Sequence, residues 1–478
     1  MISILLVAIC SFSLSLLLTP LLRLIALRLN LVDRPDDHRK MHKMPIPRIG
    51  GVAIVLAYTG SLAIVLLMSG SSRFIPQHSF TLIWKLLPGA FLVFITGLVD
   101  DVVGLEPWQK LAGEVFAAFL IYFSGIHLDS LVGYPVFGFL DLPLTVLWLV
   151  GCANAFNLID GLDGLASGLG FLASITVFIA GLLQGHTGLL LATAPLAGAL
   201  LAFLRFNSNP ASIFLGDCGS LWIGFMLGCY GLVWYHKSDT VLGMIAPMMV
   251  LSIPLLDTTL SMARRFLRRE PIFSADRGHI HHRLLDRGLT PRRVAFTLYA
   301  ATTVAACFSL LQSTVHDSMR VLITPIFCGV VWLGIHSLQY HEFGIAARLL
   351  RRTNLRFMVK SQLSLAGYEK SLIAAHNIDE CWKHIRTASR EFGFSHVELK
   401  LGGESYEERF SDTIEGHWAL HVPLSSSEYV KFTGQLESSI STPTITLFAD
   451  LLHRVLSTKC SEFGIQEPVI SRALPISA

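Results

Sequence analysis

Charge is the scarcest commodity in this chain. Lys, Arg, Asp and Glu together make up 15% of its 478 residues, whereas hydrophobic residues make up 52%. That balance excludes an ordinary soluble protein, and it equally excludes a disordered one. Cysteine is present eight times but never as a CxxC pair, and most copies lie inside apolar runs. They read as small hydrophobes, with neither a disulfide framework nor a zinc site. The first apolar run, ISILLVAICSFSLSLLLTPLLRLIALRL, has no basic stretch before it and no small-residue cleavage site after it. It reads as a retained membrane helix, not a removed signal peptide. Internal repeats and low-complexity tracts are absent from the sequence.

What the chain does have is a series of long apolar runs. A membrane helix needs about 20 residues, and that window predicts about eleven spans, near 2–28, 50–69, 82–99, 108–124, 143–158, 165–183, 188–205, 219–235, 241–263, 292–311 and 319–338. Basic residues set orientation. The loop after the first span, RLNLVDRPDDHRKMHKMPIPR, is rich in them and is assigned to the cytoplasm; alternation from there also places the most basic loop, ARRFLRREPIFSADRGHIHHRLLDRGLTPRR, inside. The same count puts Asp100, Asp101, Asp160, Asp163, Asp217, His279, His281 and His282 on one membrane face. The expected fold class is therefore an all-α polytopic membrane bundle followed by a small soluble α+β domain. The boundaries are 1–340 for the membrane domain, 341–376 for a basic juxtamembrane linker and 377–478 for a cytoplasmic domain. In that last part NIDECWKHIRTASREF has helical spacing with a capping-box pattern, HVELKL, WALHVPL and EYVKFTGQL read as strands, and TITLFADLLHRVLSTK reads as a final helix.

The chemistry-bearing residues fall in four loops. Asp100 and Asp101 close the third span, at a helix end that already carries partial negative charge. Two carboxylates there call for a cation. Asp160 and Asp163, in NLIDGLDG, repeat the pattern. An N-cap role accounts for Asp163; it does not account for Asn154, Asn157, Asp160 and Gly161 as well. Asp217, in FLGDCGS, is either an N-cap or part of an N–H-rich helix start suited to phosphate. A carboxylate beside phosphate oxygens implies a divalent metal, and Mg2+ takes one or two carboxylates plus phosphates and waters. The loop DRGHIHH offers Arg277, His279, His281 and His282 as donors to an anion. Acidic and basic groups at one membrane face point to Mg2+ and a phosphorylated substrate, one partner being a lipid.

The ordered set DD at 100–101, NAFNLIDGLDGLASG at 154–168, FLGDCGSLWIG at 216–224 and DRGHIHHRLLDRGL at 276–289 resembles the polyprenyl-phosphate N-acetylhexosamine-1-phosphate transferase family over residues 1–340. The resemblance implies transfer of a sugar-1-phosphate from a UDP-sugar to undecaprenyl phosphate, with release of UMP. It implies Mg2+ (or Mn2+ in its place), an initiating role in cell-surface polysaccharide assembly, and a multi-pass protein of the bacterial inner membrane with a cytoplasmic active site. By the same resemblance Asp100, Asp101 and Asp217 are the catalytic acids and the metal ligands, Asp217 foremost, with the Asp100–Asp101 pair near the lipid phosphate. Lys43, Asn157, Asp160, Gly161, Leu162 and Asp163 belong to the nucleotide site, and Arg277, His279, His281 and His282 bind the diphosphate. The HIHH loop is closer to the branch that transfers N-acetylglucosamine-1-phosphate than to the muramyl-pentapeptide branch. The tail resembles a GAF-type sensory domain. No nucleic-acid partner is expected, and a homodimer is allowed.

A phosphate monoester loses its second proton near pKa ~6. The lipid nucleophile is then already ionised at neutral pH, and a positional or metal-supporting role for Asp100 and Asp101 is expected over a general base. The rival from another class is an ion-coupled transporter, which places its ionisable groups near the bilayer midplane instead of at one face.

Overall fold

The computed structural model describes residues 2–33, 45–69, 80–128, 130–131, 134–135, 139–236, 244–268, 278–315, 317–338, 365, 367–410, 417–424, 428–435 and 442–463. The chain divides into two compact units, Met1–Tyr340 and His341–Ala478.

The first unit is helical. Its long helices are α1 (Ile2–Arg28), α2 (Gly50–Ser69), α3 (Thr81–Val103), α4 (Pro107–Phe123), α5 (Asp141–Ile159), α6 (Leu165–Leu183), α7 (Thr187–Asn207) and α8 (Asp217–His236). They are followed by α9 (Ile245–Val250), α10 (Ser252–Arg268), α11 (Ile280–Asp286), α12 (Pro291–Thr314) and α13 (Asp317–Ser337). Two-residue strand pairs, β1–β2 (Val32–Asp33, Ile46–Pro47) and β3–β4 (Ser130–Leu131, Tyr134–Pro135), join some of them.

The described parts of the predicted spans are helical, but the count of eleven is not borne out. Among the described residues nine helices are long and apolar enough to cross a membrane. The two that differ are α4, with 17 residues, and the run at 241–263, whose described part splits at Leu251 into α9 and α10. Pro254 accounts for the split. It has no N–H to give Val250, four residues back, and its ring crowds that carbonyl.

At the centre lies α8, its apolar window wholly buried. Without a hydrophobic gain in lipid, helices associate by close approach of small residues. A Cβ on Gly51 of α2 would lie 2.2 Å from the Gly219 nitrogen, and one on Gly97 of α3 would lie 2.6 Å from the Asp217 carbonyl oxygen. These two glycines seat α2 and α3 directly on the first turn of α8. On the far side, Ser11 and Ser15 of α1 donate to the carbonyls of Pro195 and Ala199 in α7, at 2.7 and 2.9 Å. Their spacing of four puts both on one helix face.

In the second unit, helix Ile378–Phe392 starts at Asn377, whose side chain accepts from the Glu380 N–H at 2.8 Å, and ends at left-handed Gly393. The reciprocal Glu380 bond reaches the N–H of His376, one residue before the cap, at 2.8 Å. Four antiparallel strands, β5 (His396–Leu401), β6 (Glu404–Arg409), β7 (His417–Pro423) and β8 (Tyr429–Gln435), run in the order β6-β5-β8-β7. Val397, Leu399, Leu401, Val430 and Phe432 face one way and bury against Ile385, Phe392, Leu452 and Leu456 of the flanking helices. The final helix is Thr442–Glu462. The core of this unit also takes in Leu365 and Leu372, inside the stretch read from sequence as linker.

Candidate functional site

The site lies where the ends of α3, α5 and α8 meet the start of α4. The first turn of α8 exposes N–H groups that no intrahelical carbonyl satisfies. Asp101, in the last turn of α3, supplies them with an acceptor. Its Oδ1 takes the N–H of Asp217 and its Oδ2 that of Cys218, both at 2.9 Å. The carboxylate thus caps a helix to which it does not belong, and it sits at that helix's positive end. Its neighbour Asp100 points elsewhere. Asp100 Oδ1 accepts from the Leu105 N–H at 2.7 Å, and Oδ2 meets the Lys110 ammonium at 3.2 Å.

Lys110 is the residue that sequence reasoning missed. The turn after α3 ends in a capping box, Glu106 with Gln109, that starts α4 and sets Lys110 in its first turns. Its ammonium reaches Asp100 Oδ2, Asn157 Oδ1 at 3.0 Å and, closest of all, Asp217 Oδ2. Asn157 in turn donates to Ser220 Oγ at 3.0 Å. One turn along α4, Glu114 is fully buried and accepts from the Asn154 amide. The signal for both was a Lys and a Glu inside an otherwise apolar run, where ionisable groups are costly and functional.

Three oxygens, two of them anionic, therefore converge on one positive charge. Hard carboxylate and amide oxygens in this arrangement are the donor set that Mg2+ accepts, with waters and phosphates completing its shell. Asp100, Asp217 and Asn157 could hold such an ion with the Lys110 side chain moved aside. Asp101, expected among the ligands, has both oxygens engaged by backbone N–H groups.

The turn between α5 and α6 divides its two carboxylates in the same way. Asp163 Oδ2 accepts from Asn209 Nδ2 at 2.9 Å and from the Ala211 N–H at 3.0 Å, which pins the loop leading into α8. It does not cap α6; Gly164 stands at that position. Asp160 makes no such bond among the described residues. Burial, with the charges of Asp217, Asp101 and Asp163, pushes its carboxyl up to about 8, so without a bound cation it is mostly protonated at neutral pH.

The histidine loop lies against this turn. A Cβ on Gly161 would stand 2.5 Å from His281 Nε2, so only glycine lets the ring come so close. His281 is buried, neither of its ring nitrogens has a hydrogen-bond partner among the described residues, and burial lowers its pKa to about 4. Its ring stacks on that of His279, with centroids 5.7 Å apart, and lies 4.3 Å from that of His282. From α12, the Tyr299 hydroxyl donates to the Gly164 carbonyl at 2.6 Å and steadies the same turn. Leu162 is buried within it. Lys43 and Arg277 lie outside the described residues.

The fold and the site define a multi-pass membrane protein that gathers charged residues from separate loops at one end of its bundle. The glycosyl transferase family 4 model matches residues 83–235, which include both carboxylate pairs, Lys110 and Asp217. The chain is 35% identical over 289 residues to the probable undecaprenyl-phosphate N-acetylglucosaminyl 1-phosphate transferase of Bacillus subtilis, covering 59% of this chain and 78% of that protein. It is also 35% identical, over 313 residues, to the decaprenyl-phosphate N-acetylglucosaminephosphotransferase of Mycobacterium tuberculosis, covering 59% of this chain and 76% of that one. A phospho-N-acetylmuramoyl-pentapeptide-transferase of Shouchella clausii is 32% identical over 291 residues, 57% of this chain and 85% of its own. This chain belongs to glycosyl transferase family 4.

Proposed function

We propose that the protein transfers N-acetylglucosamine-1-phosphate from its UDP-sugar to undecaprenyl phosphate and releases UMP. A lipid-phosphate oxygen attacks the β-phosphorus of the sugar nucleotide; the bond from that phosphorus to the bridging oxygen breaks, and the bridging oxygen leaves on UMP. One phosphate ester replaces another, so alignment and charge stabilisation carry the catalysis. Asp100, Asp217 and Asn157 would hold Mg2+, which would supply positive charge against the diphosphate and the UMP leaving group. Asp101 holds the first turn of α8, and with it Asp217, in register. The turn at Asn157–Asp163 receives uracil, and His279, with His281 and His282 beside it, faces the diphosphate. The nucleophile is ionised near neutral pH, so Asp100 has no proton to remove and serves in positioning. The active end of the bundle faces the cytoplasm, where UDP-sugars are found.

The observation that carries this reading is the convergence of Asp100, Asn157 and Asp217 oxygens on a single cation, the Lys110 ammonium, at the start of the central helix. N-acetylglucosamine is preferred over the muramyl-pentapeptide because relatives named for it reach 35% identity, against 28–32% for those named for the other sugar. The test is UMP release by purified protein given undecaprenyl phosphate, Mg2+ and a panel of UDP-sugars. UMP from UDP-N-acetylglucosamine is the expected result. Release only with UDP-muramyl-pentapeptide moves the substrate within the family, and no release with any sugar nucleotide overturns the activity.

A further inference from the structure

One buried carboxylate stands outside everything assigned so far. Asp257 lies on α10, 1% exposed, on the side that faces the histidine loop. Both of its oxygens are used. Oδ1 accepts from the Ile280 N–H at 2.7 Å and Oδ2 meets His279 Nδ1 at 2.8 Å. His279 is itself 6% exposed. It occupies the cap position of α11, yet its side chain makes no cap bond. The acceptor for the first N–H of that short helix comes from Asp257 instead. A second contact from α10 adjoins the first. A Cβ on Gly278 would lie 2.4 Å from the Arg264 guanidinium carbon, so the residue before His279 is packed directly onto α10.

Burying a carboxylate this deeply is costly unless it is paired and hydrogen-bonded. What the arrangement gives in return is a fixed ring. An imidazole that donates its Nδ1 proton to a carboxylate is held in one tautomer and one orientation, with Nε2 on the opposite edge. His281, stacked on the same ring, has no such partner and is pressed against Gly161. The neighbouring histidines are therefore not equivalent: one is tethered through Nδ1 to an acid, the other is a buried neutral ring that packs the nucleotide turn.

We propose that Asp257 is the positioning residue of the diphosphate-binding histidine, fixing His279 through Nδ1 so that Nε2 is presented to the phosphates of the sugar nucleotide. This rests on the transferase reading above, in which His279 faces the diphosphate.

The experiment uses the full chain in lipid nanodiscs and compares binding of UDP with binding of uridine. Asp257→Asn removes the negative charge and disturbs the tautomer; it is expected to weaken UDP about tenfold or more while changing uridine affinity less than about twofold, since uridine carries no phosphate. In turnover the same change appears in KM for the sugar nucleotide and in kcat, with KM for undecaprenyl phosphate unchanged. Asp257→Glu restores the charge one methylene away and recovers part of the UDP affinity. The double variant Asp257→Asn/His279→Gln is expected to be no weaker toward UDP than His279→Gln alone, because Asp257 acts through that ring. Equal loss for UDP and uridine, or additive losses in the double variant, overturns the proposal. If Asp257→Asn fails to fold, Asp257→Glu carries the test: a UDP affinity equal to wild type overturns it, and a several-fold loss confined to UDP supports it. Failure of the transferase reading looks different, because wild-type protein then neither binds UDP nor releases UMP.

Discussion

The end of α3 and the turn between α5 and α6 each carry two carboxylates, and each divides them in the same way. At the end of α3, Asp101 accepts two backbone N–H groups of α8 while Asp100 meets Lys110. In the turn, Asp163 binds Asn209 and the Ala211 N–H while Asp160 keeps its carboxyl unengaged among the described residues. One member of each pair holds the backbone that leads into α8; the other is left for the cleft. The difference lies in charge compensation. Asp100 sits beside an ammonium, whereas Asp160 has three acidic neighbours and rises to about 8. One acid of each pair is thus spent on holding backbone and its neighbour is not, so the two members are not copies of one arrangement.

The largest expected effect lies where the two regions meet. Asp217→Asn should lower UMP release by roughly 10³-fold or more, with membrane insertion and detergent extraction unchanged. Asp100→Asn should lose activity nearly as far at little cost in stability. Raising the pH should not restore it; recovery at high pH in the rate profile would give Asp100 a proton-transfer role and break the comparison. Asp101→Asn sharpens it from the other side. It weakens the cap on α8 and should cost about 1–2 kcal/mol of stability, read as a lower thermal midpoint, together with reduced activity. Asp163→Ala should behave likewise, destabilising by about 1–3 kcal/mol through the orphaned Asn209 and Ala211 donors, with KM for the nucleotide moving less than stability does.

The last comparison concerns Asp160. Its folded pKa is raised above the unfolded value, so the folded state binds the extra proton and is favoured at low pH. That contribution is complete below about pH 4 and is lost as pH rises toward about 8. Thermal midpoints in the absence of divalent cations should therefore decline across that window in the wild type and decline less in Asp160→Asn. Identical slopes would contradict the raised pKa of Asp160.

Much of this was legible in the residues. Apolar length marked the long helices of the first unit, and the four loop motifs marked residues that the fold brings together, because both signals are local; the short helix α11 lay in a stretch read as loop. What failed was local too, but disguised. Lys110, Glu114 and Asp257 all sit inside runs read as membrane spans, where the apolar average hid single charges that turned out to anchor the site. The run at 241–263 was read through Pro254 without a break. Strand β6, ESYEER, was missed because only Tyr406 gives it an apolar side, and it is found through its pairing with β5. Asp163 was read as a cap or a nucleotide contact, since nothing nearby in sequence announces a partner 46 positions on.

Lys110 brings its own ammonium to the cluster of oxygens. The polypeptide can therefore settle into lipid with part of its acidic charge already offset, before any ion or nucleotide arrives. On the proposed reading, a divalent ion entering there would not fill an empty seat but trade places with a tethered amine. Its affinity would be the balance of that trade, and the evicted side chain would stay within reach of any phosphate the ion carried.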